Sequence, residues 1–390
     1  MIVVDAVGHA LSLAAAMAWE ILWALILGFA ISGAVQAVVS KAEMGRLLPD
    51  DSPRSLGIAC GLGAASSSCS YAAVAMARSV FRKGADFTSA MAFQFASTNL
   101  VVELGIILAV LLGWQFTAAE FVGGPLMIVL LALLFRALLK PPLVQAARQQ
   151  ADRGLVGVME GHAAMDMSVT EGPIWSRITS PAGFTAISHS FVMDWVSVWK
   201  DIAGGLLIAG ALGAWVPASF WQSFFLVDHP LLAKLWGPLV GPLVAMLSFV
   251  CSIGNVPLAA VLWNGGISFG GVVAFIFADL IVLPILNIYR RYYGSRMSLF
   301  LLATFYLTMA AAGLLVDLLF ETLGLVPTTR NAKVVEASIT LNYTSVLNIL
   351  FLALAGVLLV RFLRTNGPAM LRMMSAPTGH GSADDPEAAG

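Results

Sequence analysis

The chain has 390 residues, 59% of them hydrophobic and only 11% charged, whereas soluble domains carry about 25% charged residues. That balance excludes a soluble globular protein and places the chain in a lipid bilayer as a polytopic helical protein. The 21 basic and 22 acidic residues nearly cancel, so neither a basic surface for nucleic acid nor an acidic tract for a charged partner is present.

The N-terminal stretch MIVVDAVGHALSLAAAMAWE lacks a basic region and runs on into a full-length apolar segment, so the first helix is expected to stay as an anchor rather than be cleaved as a signal peptide. A spanning helix needs about 20 apolar residues. That measure predicts spans over 17–39, 87–112, 120–139, 197–216, 267–289, 298–320 and 341–363. Residues 56–81 and 234–263 are apolar too, but they are interrupted by CGLGAASSSCS in the first and by GPLVGP and CSIGNVP in the second. Gly, Pro and Ser clusters of this kind favour a broken helix or a re-entrant hairpin. Residues 141–183 are too polar to span and read as a cytoplasmic loop, and residues 366–390 have the low hydrophobicity of a disordered cytoplasmic tail.

Lys and Arg mark cytoplasmic ends. Basic residues cluster at Lys41, Arg46 and Arg54; at Arg78, Arg82 and Lys83; at Lys140, Arg148 and Arg153; at Arg290, Arg291 and Arg296; and at Arg361, Arg364 and Arg372. Placing all of them inside makes 56–81 dip in from the cytoplasm and return, and makes 234–263 dip in from the outside. The N-terminus is then external and the C-terminus cytoplasmic.

A repeat accounts for that symmetry. Setting Cys69 on Cys251, an offset of 182 residues, aligns 28 positions without a gap. Ten are identical, among them Ser70/Ser252, Gly84/Gly266, Phe87/Phe269 and Phe95/Phe277. The preceding helices correspond as well, WEILWALILGFAISGA with WKDIAGGLLIAGALGA. Each half holds three spans and one hairpin, so the halves should insert upside down relative to each other, as in many secondary transporters. The expected fold is all-α: a first transmembrane repeat over 1–140, the loop 141–183, a second repeat over 184–320 and a C-terminal span within 321–365.

In such a fold the broken helices meet near the bilayer midplane and line a substrate site. That explains a run of hydroxyls and a thiol inside an apolar segment. Ser66, Ser67, Ser68, Cys69 and Ser70 from one half, with Cys251, Ser252 and Asn255 from the other, are the candidate substrate-binding residues. Hydroxyls can satisfy freed backbone groups, and cysteine offers a soft sulfur ligand. Small residues also permit close helix packing, and for the serines the two readings stand side by side. Cys60, matched by Pro242, reads as filler. The three cysteines all lie in apolar segments, which is no disulfide framework.

Ionisable residues inside a membrane are costly and are functional candidates by default. Here these are Glu103 and Asp279, placed to carry a coupling proton because desolvation favours the neutral form of an acid. Gln94, Asn99, Asn287 and Asp201 are supporting polar residues, with packing hydrogen bonds as the competing role. In the loop, His162, Met165 and Met167 of EGHAAMDMSVTEG are weak candidates for a soft metal, against a plain solvated linker. The chain holds no GxxxxGK[ST], HExxH or GxSxG motif, so neither enzyme chemistry nor a bound cofactor is expected and transport cannot be driven by ATP on this chain alone.

The stretches CGLGAASSSCSYAAVAMARSVFRKGADF, FQFASTNLVVELGIIL, FVMDWVSVWKDIAGG and CSIGNVPLAAVLWNGGISFGGVVAFIFADLIVLPILNIYR, with the loop segment GHAAMDMS, resemble the predicted-permease family that includes bacterial organoarsenical efflux permeases. The similarity runs over most of residues 15–365. It implies a secondary exporter of the bacterial inner membrane, with trivalent methylated or aromatic arsenicals as the best known cargo. Such small, thiophilic and partly apolar molecules suit Cys69 and Cys251 in a serine-lined cavity. Carriage of another soft metal or sulfur compound, and a membrane sensor or recruitment subunit working through the GHAAMDM loop, are the competing functions. Assembly into a homo-oligomer is left open.

Overall fold

The computed structural model describes residues 2–37, 47–67, 70–82, 84–151, 169, 173–248, 252–332 and 343–375. Among the described residues every regular element is helical. The first half runs through α1 (Ile2–Gln36), α2 (Pro53–Ser66), α3 (Ser70–Arg82), α4 (Phe87–Asn99), α5 (Val102–Leu111) and α6 (Trp114–Leu138). Two connecting helices follow, α7 (Pro141–Ala151) and α8 (Ile174–Thr179). The second half runs through α9 (Pro181–Trp215), a short α10 (Ala218–Phe224), α11 (Pro230–Ser248), α12 (Ser252–Gly265), α13 (Phe269–Phe277), α14 (Leu283–Tyr293) and α15 (Ser295–Thr322), with a 3₁₀ turn (Ala278–Ile281) closing α13. Helices α16 (Tyr343–Arg364) and α17 (Gly367–Ser375) end the described chain.

The two halves share their order of elements and the devices that make them. Each opens with a 35-residue helix, α1 or α9. Each continues with two helices that flank the stretch the sequence marked, α2 and α3 around 67–69 and α11 and α12 around 249–251, and in the first half the chain leaves helical geometry at Ser67. A glycine with positive φ then turns the chain, Gly84 at +106° and Gly266 at +110°, a conformation that costs a side chain dearly. Two residues on, Asp86 and Ser268 accept the N–H of Ser89 and Gly271 and cap α4 and α13. Both pairs keep the offset of 182. The following segments bend alike, by 42° between α4 and α5 and by 43° between α13 with its turn and α14.

These capped helices form the centre. All thirteen residues of α4 and all nine of α13 are buried. Helix α2 packs along α4 and α11 along α13, α6 lies against α15, and α1 lies against α9. Large apolar side chains such as Leu231, Leu247, Leu299 and Val346 stand exposed on the outer helices, as expected of a surface that faces lipid.

Among the described residues four helices are long and apolar enough to cross a membrane, those over 114–138, 230–247, 295–322 and 344–364; the number rises to seven when α1, α4–α5 and α13–α14 each count as one bent span. Two segments differ from the sequence expectation. Helix α9 starts at Pro181, well before residue 197, because Ser180 caps it, and runs 35 residues to Trp215. Helix α11, ahead of residues 249–251, is itself of spanning length and contains Pro238 and Pro242. Residues 141–151 and 367–375 are helical where a loop and a disordered tail were expected. In α17 the side chain of Leu371 packs onto the core, which supplies the apolar contact that the composition of the tail as a whole lacks.

The broken helix α2 is moored at its start. Ser52 caps it and Pro53 occupies its first turn; Asp50 accepts from Ser55 Oγ at 2.5 Å, and the Asp50 carbonyl accepts from Ser89 Oγ at 2.6 Å. The Ser52 hydroxyl, then that of Ser55, holds the Asp50 carboxyl below its ordinary value. A depressed carboxylate contributes stability that is present above its unfolded pKa and lost as pH falls through the folded value. Asp50→Asn should therefore weaken the protein at neutral pH and flatten the acid limb of its stability curve, measured by thermal unfolding in detergent across a pH series.

Helices α13 and α15 touch backbone to backbone. A Cβ on Gly270 would lie 2.4 Å from the Gly313 carbonyl oxygen, and one on Gly313 would lie 2.5 Å from that of Gly270. Neither neighbour can step aside. Gly313→Ala is expected to destabilise the protein by about 1–3 kcal/mol, read as a lower unfolding midpoint in detergent.

Candidate functional site

Breaking a helix inside a membrane strands backbone groups that lipid cannot satisfy. At the first break Ser67 leaves helical geometry with φ 28°, and Ser66 Oγ turns back to donate to the Gly63 carbonyl at 2.9 Å. Ser67 Oγ donates to Glu103 of α5. Ser68, Cys69 and Cys251 lie outside the described residues, so the position of the two matched thiols is known only through their chain neighbours Ser70 and Ser252.

Those neighbours meet. Ser70, first residue of α3, donates to Asp279 Oδ2 at 2.5 Å. The hydroxyls of Ser252, first residue of α12, and of Thr98 on α4 lie close enough to the same carboxyl to act on it, while Thr98 Oγ1 itself donates to the Phe95 carbonyl at 3.2 Å. Asp279 sits in the 3₁₀ turn where α13 gives way to α14 and has no solvent exposure. The two matched serines, one from each half, thus converge on one buried carboxyl at a helix bend. Asn255 is fully buried one turn along α12 from Ser252. Asp279 Oδ1 makes no hydrogen bond to the described residues.

Glu103 occupies a second position, against α1. Gly28 makes the space for it, since a Cβ there would fall 2.0 Å from Glu103 Cβ. Asp194 of α9 is near enough to act on it electrostatically. Glu103 and Asp279 are therefore separate acidic positions, each linked to the first break by its own serine.

The supporting residues divide. Gln94 is buried and donates through Nε2 to the hydroxyl of Tyr289 on α14, and Asn99 Nδ2 donates to the Phe95 carbonyl at 3.2 Å and to Thr98 Oγ1 at 3.0 Å. Asn287 is exposed and accepts from Arg290 at 2.9 Å in a surface groove lined by Leu286, Ser295 and Ser298. It stands apart from the buried cluster. The Asp201 side chain and the loop residues His162, Met165 and Met167 lie outside the described residues. Among those described, no cluster of three or more His, Cys, Asp or Glu could hold a metal.

Three buried acids escaped the sequence reading. Glu120 (1% exposed) is the first residue of the span drawn over 120–139 and Asp194 (8%) precedes that over 197–216; the helices begin at Trp114 and Pro181, which moves both acids into helix interior. Asp317 (5%) lies within the span drawn over 298–320. Glu120 is close enough to Asp279 for the two carboxyls to interact, and its Oε1 has no hydrogen bond to the described residues. Asp317 lies beside the backbone of Gly270 on α13. The usable signal was an acid flanked by small residues, as in TAAEFVGG.

The bond between Gln94 and Tyr289 ties α4 to α14 across the two halves. Gln94→Leu should leave the phenol buried without its partner, at a cost of about 1–3 kcal/mol. Adding Tyr289→Phe should recover part of the loss, and a double-mutant cycle of unfolding in detergent measures that coupling.

Residues 6–318 match the family described as predicted permease. A protein of Mycobacterium tuberculosis named "Putative permease Rv2963" is 65% identical over 385 residues, covering 98% of this chain and 94% of that one. No solved structure matches. With broken apolar helices, an interior of buried acids and hydroxyls, and a match over most of its length, the chain belongs to the predicted-permease family of membrane transporters.

Proposed function

We propose that this permease exports small thiophilic solutes, trivalent organoarsenicals foremost, across the bacterial inner membrane by alternating access. Its halves are inverted repeats, with the N-terminus outside and the C-terminus in the cytoplasm. Cargo binds where the two breaks meet, on Cys69 and Cys251 with the serines beside them. One or two thiolate contacts hold a trivalent arsenical long enough to carry it and loosely enough to let it go. The observation that supports this most is the convergence of Ser70 and Ser252 on Asp279, since each serine follows one of the matched cysteines in the chain.

Coupling to protons is assigned to Asp279 and Glu103, with Glu120 as a neighbour of the first. The groups acting on Asp279 are hydroxyls and backbone, and on Glu120 a second carboxyl; neither has a cationic partner among them. A buried acidic pair without a fixed cation is suited to taking one up from either side of the membrane.

The test is a resistance assay in an arsenic-sensitive bacterium expressing the chain, challenged with arsenite, methylarsenite and an aromatic trivalent arsenical. Protection against the organic forms alone is expected. Cys69→Ser with Cys251→Ser should abolish it, Asp279→Asn should reduce it at least about tenfold, and deletion of residues 155–172 should leave it. Unchanged sensitivity to every arsenical would sink the cargo assignment, and loss of protection on the loop deletion alone would favour the sensor reading.

A further inference from the structure

One matched pair of residues lies outside the broken helices and the acids. Arg148, on α7, and Arg330, in the segment after α15, are separated by the repeat offset of 182 and do the same thing in their respective halves. Arg148 Nη1 donates to the Phe81 carbonyl at 3.0 Å and its Nη2 to the Ala85 carbonyl at 3.1 Å. Arg330 Nη1 donates to the Trp263 carbonyl at 2.7 Å and the Ile267 carbonyl at 2.8 Å. Phe81 pairs with Trp263 and Ala85 with Ile267 at that same offset. Each guanidinium also lies over the ring of its partner, with Cζ 4.2 Å from the Phe81 centroid and 4.2 Å from the Trp263 centroid.

Chemically each arginine closes the open C-terminal end of the second arm of a broken helix, α3 or α12, and ties it to the glycine turn that leads into α4 or α13. Helix C-termini present free carbonyls and partial negative charge, which a cation satisfies. A planar fork that stacks on an aromatic ring while reaching two carbonyls is a role lysine cannot copy. Neighbouring contacts tie the same segments. Arg78 Nη2 donates to the Ala151 carbonyl at 2.7 Å at the end of α7, and Asn264 exchanges two hydrogen bonds with the backbone of Ala332, at 3.0 and 2.9 Å. In both halves, then, the connection leaving the last long helix is clipped to the outer end of the arm whose inner end carries Ser70 or Ser252.

We propose that Arg148 and Arg330 are twin latches, one at each face of the membrane, that hold the arms α3 and α12 in place and so set which side of the central site is open. The inference rests on the alternating-access, inverted-repeat reading above. Inversion puts the Arg148 latch at the cytoplasmic face and the Arg330 latch at the outer face. Releasing one latch frees one arm, and the population of the corresponding open state rises.

The test uses the full chain in membrane vesicles, in a Cys60→Ser background that leaves Cys69 and Cys251 as the thiols, with a membrane-impermeant maleimide as probe. In inside-out vesicles Arg148→Gln should raise labelling about tenfold, the shift that loss of a charge-assisted hydrogen bond commands, and Arg330→Gln should lower it. In right-side-out vesicles the order should reverse, and the double variant should return to the parent ratio. Arg→Lys at either position, which keeps the charge and loses the fork, should give a smaller shift in the same sense and carries the test if the Gln variants do not accumulate. Shifts in the same direction for both variants, or none from either, would overturn the proposal; unfolding exposes the thiols from both sides and cannot produce the mirrored pattern. Labelling needs no cargo. Mirrored shifts in a chain that protects against no arsenical would remove the cargo assignment and keep the latches.

Discussion

A helix interrupted within the bilayer must find partners for its loose backbone groups inside the protein, because lipid offers none. This chain contains such an interruption at Ser67, and much of its interior is arranged around it and the matching stretch of the second half. The arms on either side pack against fully buried central helices, α4 and α13. Ser70, the first described residue beyond the break, donates to a carboxyl supplied by a bend in a third element, and Ser252 of the other half lies close to the same carboxyl. The bend itself is tolerated because Asp279 lies in a 3₁₀ turn whose four residues are all buried.

The halves share a scaffold and differ in chemistry. Glycine turns, helix caps, bends and the terminal arginines recur at one offset, and they are the parts that backbone geometry demands. The acids do not recur. Ser97 stands where the second half has Asp279, and Ile285, Leu302 and Phe135 stand where the other half has Glu103, Glu120 and Asp317. The framework is duplicated and the buried charge is not.

Close contact in this molecule comes from glycine as much as from large side chains. Gly28 admits Glu103 against α1, and Gly270 and Gly313 let α13 and α15 meet along their backbones. Helix association in membranes is driven by such packing and by hydrogen bonds between helices, because burying apolar surface gains little where the solvent is itself apolar. The bond between Gln94 and Tyr289 is of the second kind and joins the halves near the Asp279 site.

Hydropathy alone determined that the protein spans a membrane and where most of its spans lie, since a lipid solvent imposes its thickness on the chain. A Gly and Ser cluster marked the break at Ser67, and the self-match at one offset marked the repeated order, because turns and caps depend on local backbone geometry. Serines 66, 67, 70 and 252 were legible as site candidates on that basis, as were Glu103 and Asp279. What only the tertiary structure decided is which acid meets which serine, that Asn287 faces outward, and that Glu120 and Asp194 lie in helix interior. Helix ends are set by caps and packing, and an apolar window cannot see them: Ser180 starts α9 sixteen residues before the apolar stretch expected from 197. The matched roles of Arg148 and Arg330 were invisible for the same reason, since a cation clipped to a helix terminus is defined by carbonyls remote in sequence, and its own neighbours in the chain carry no sign of them.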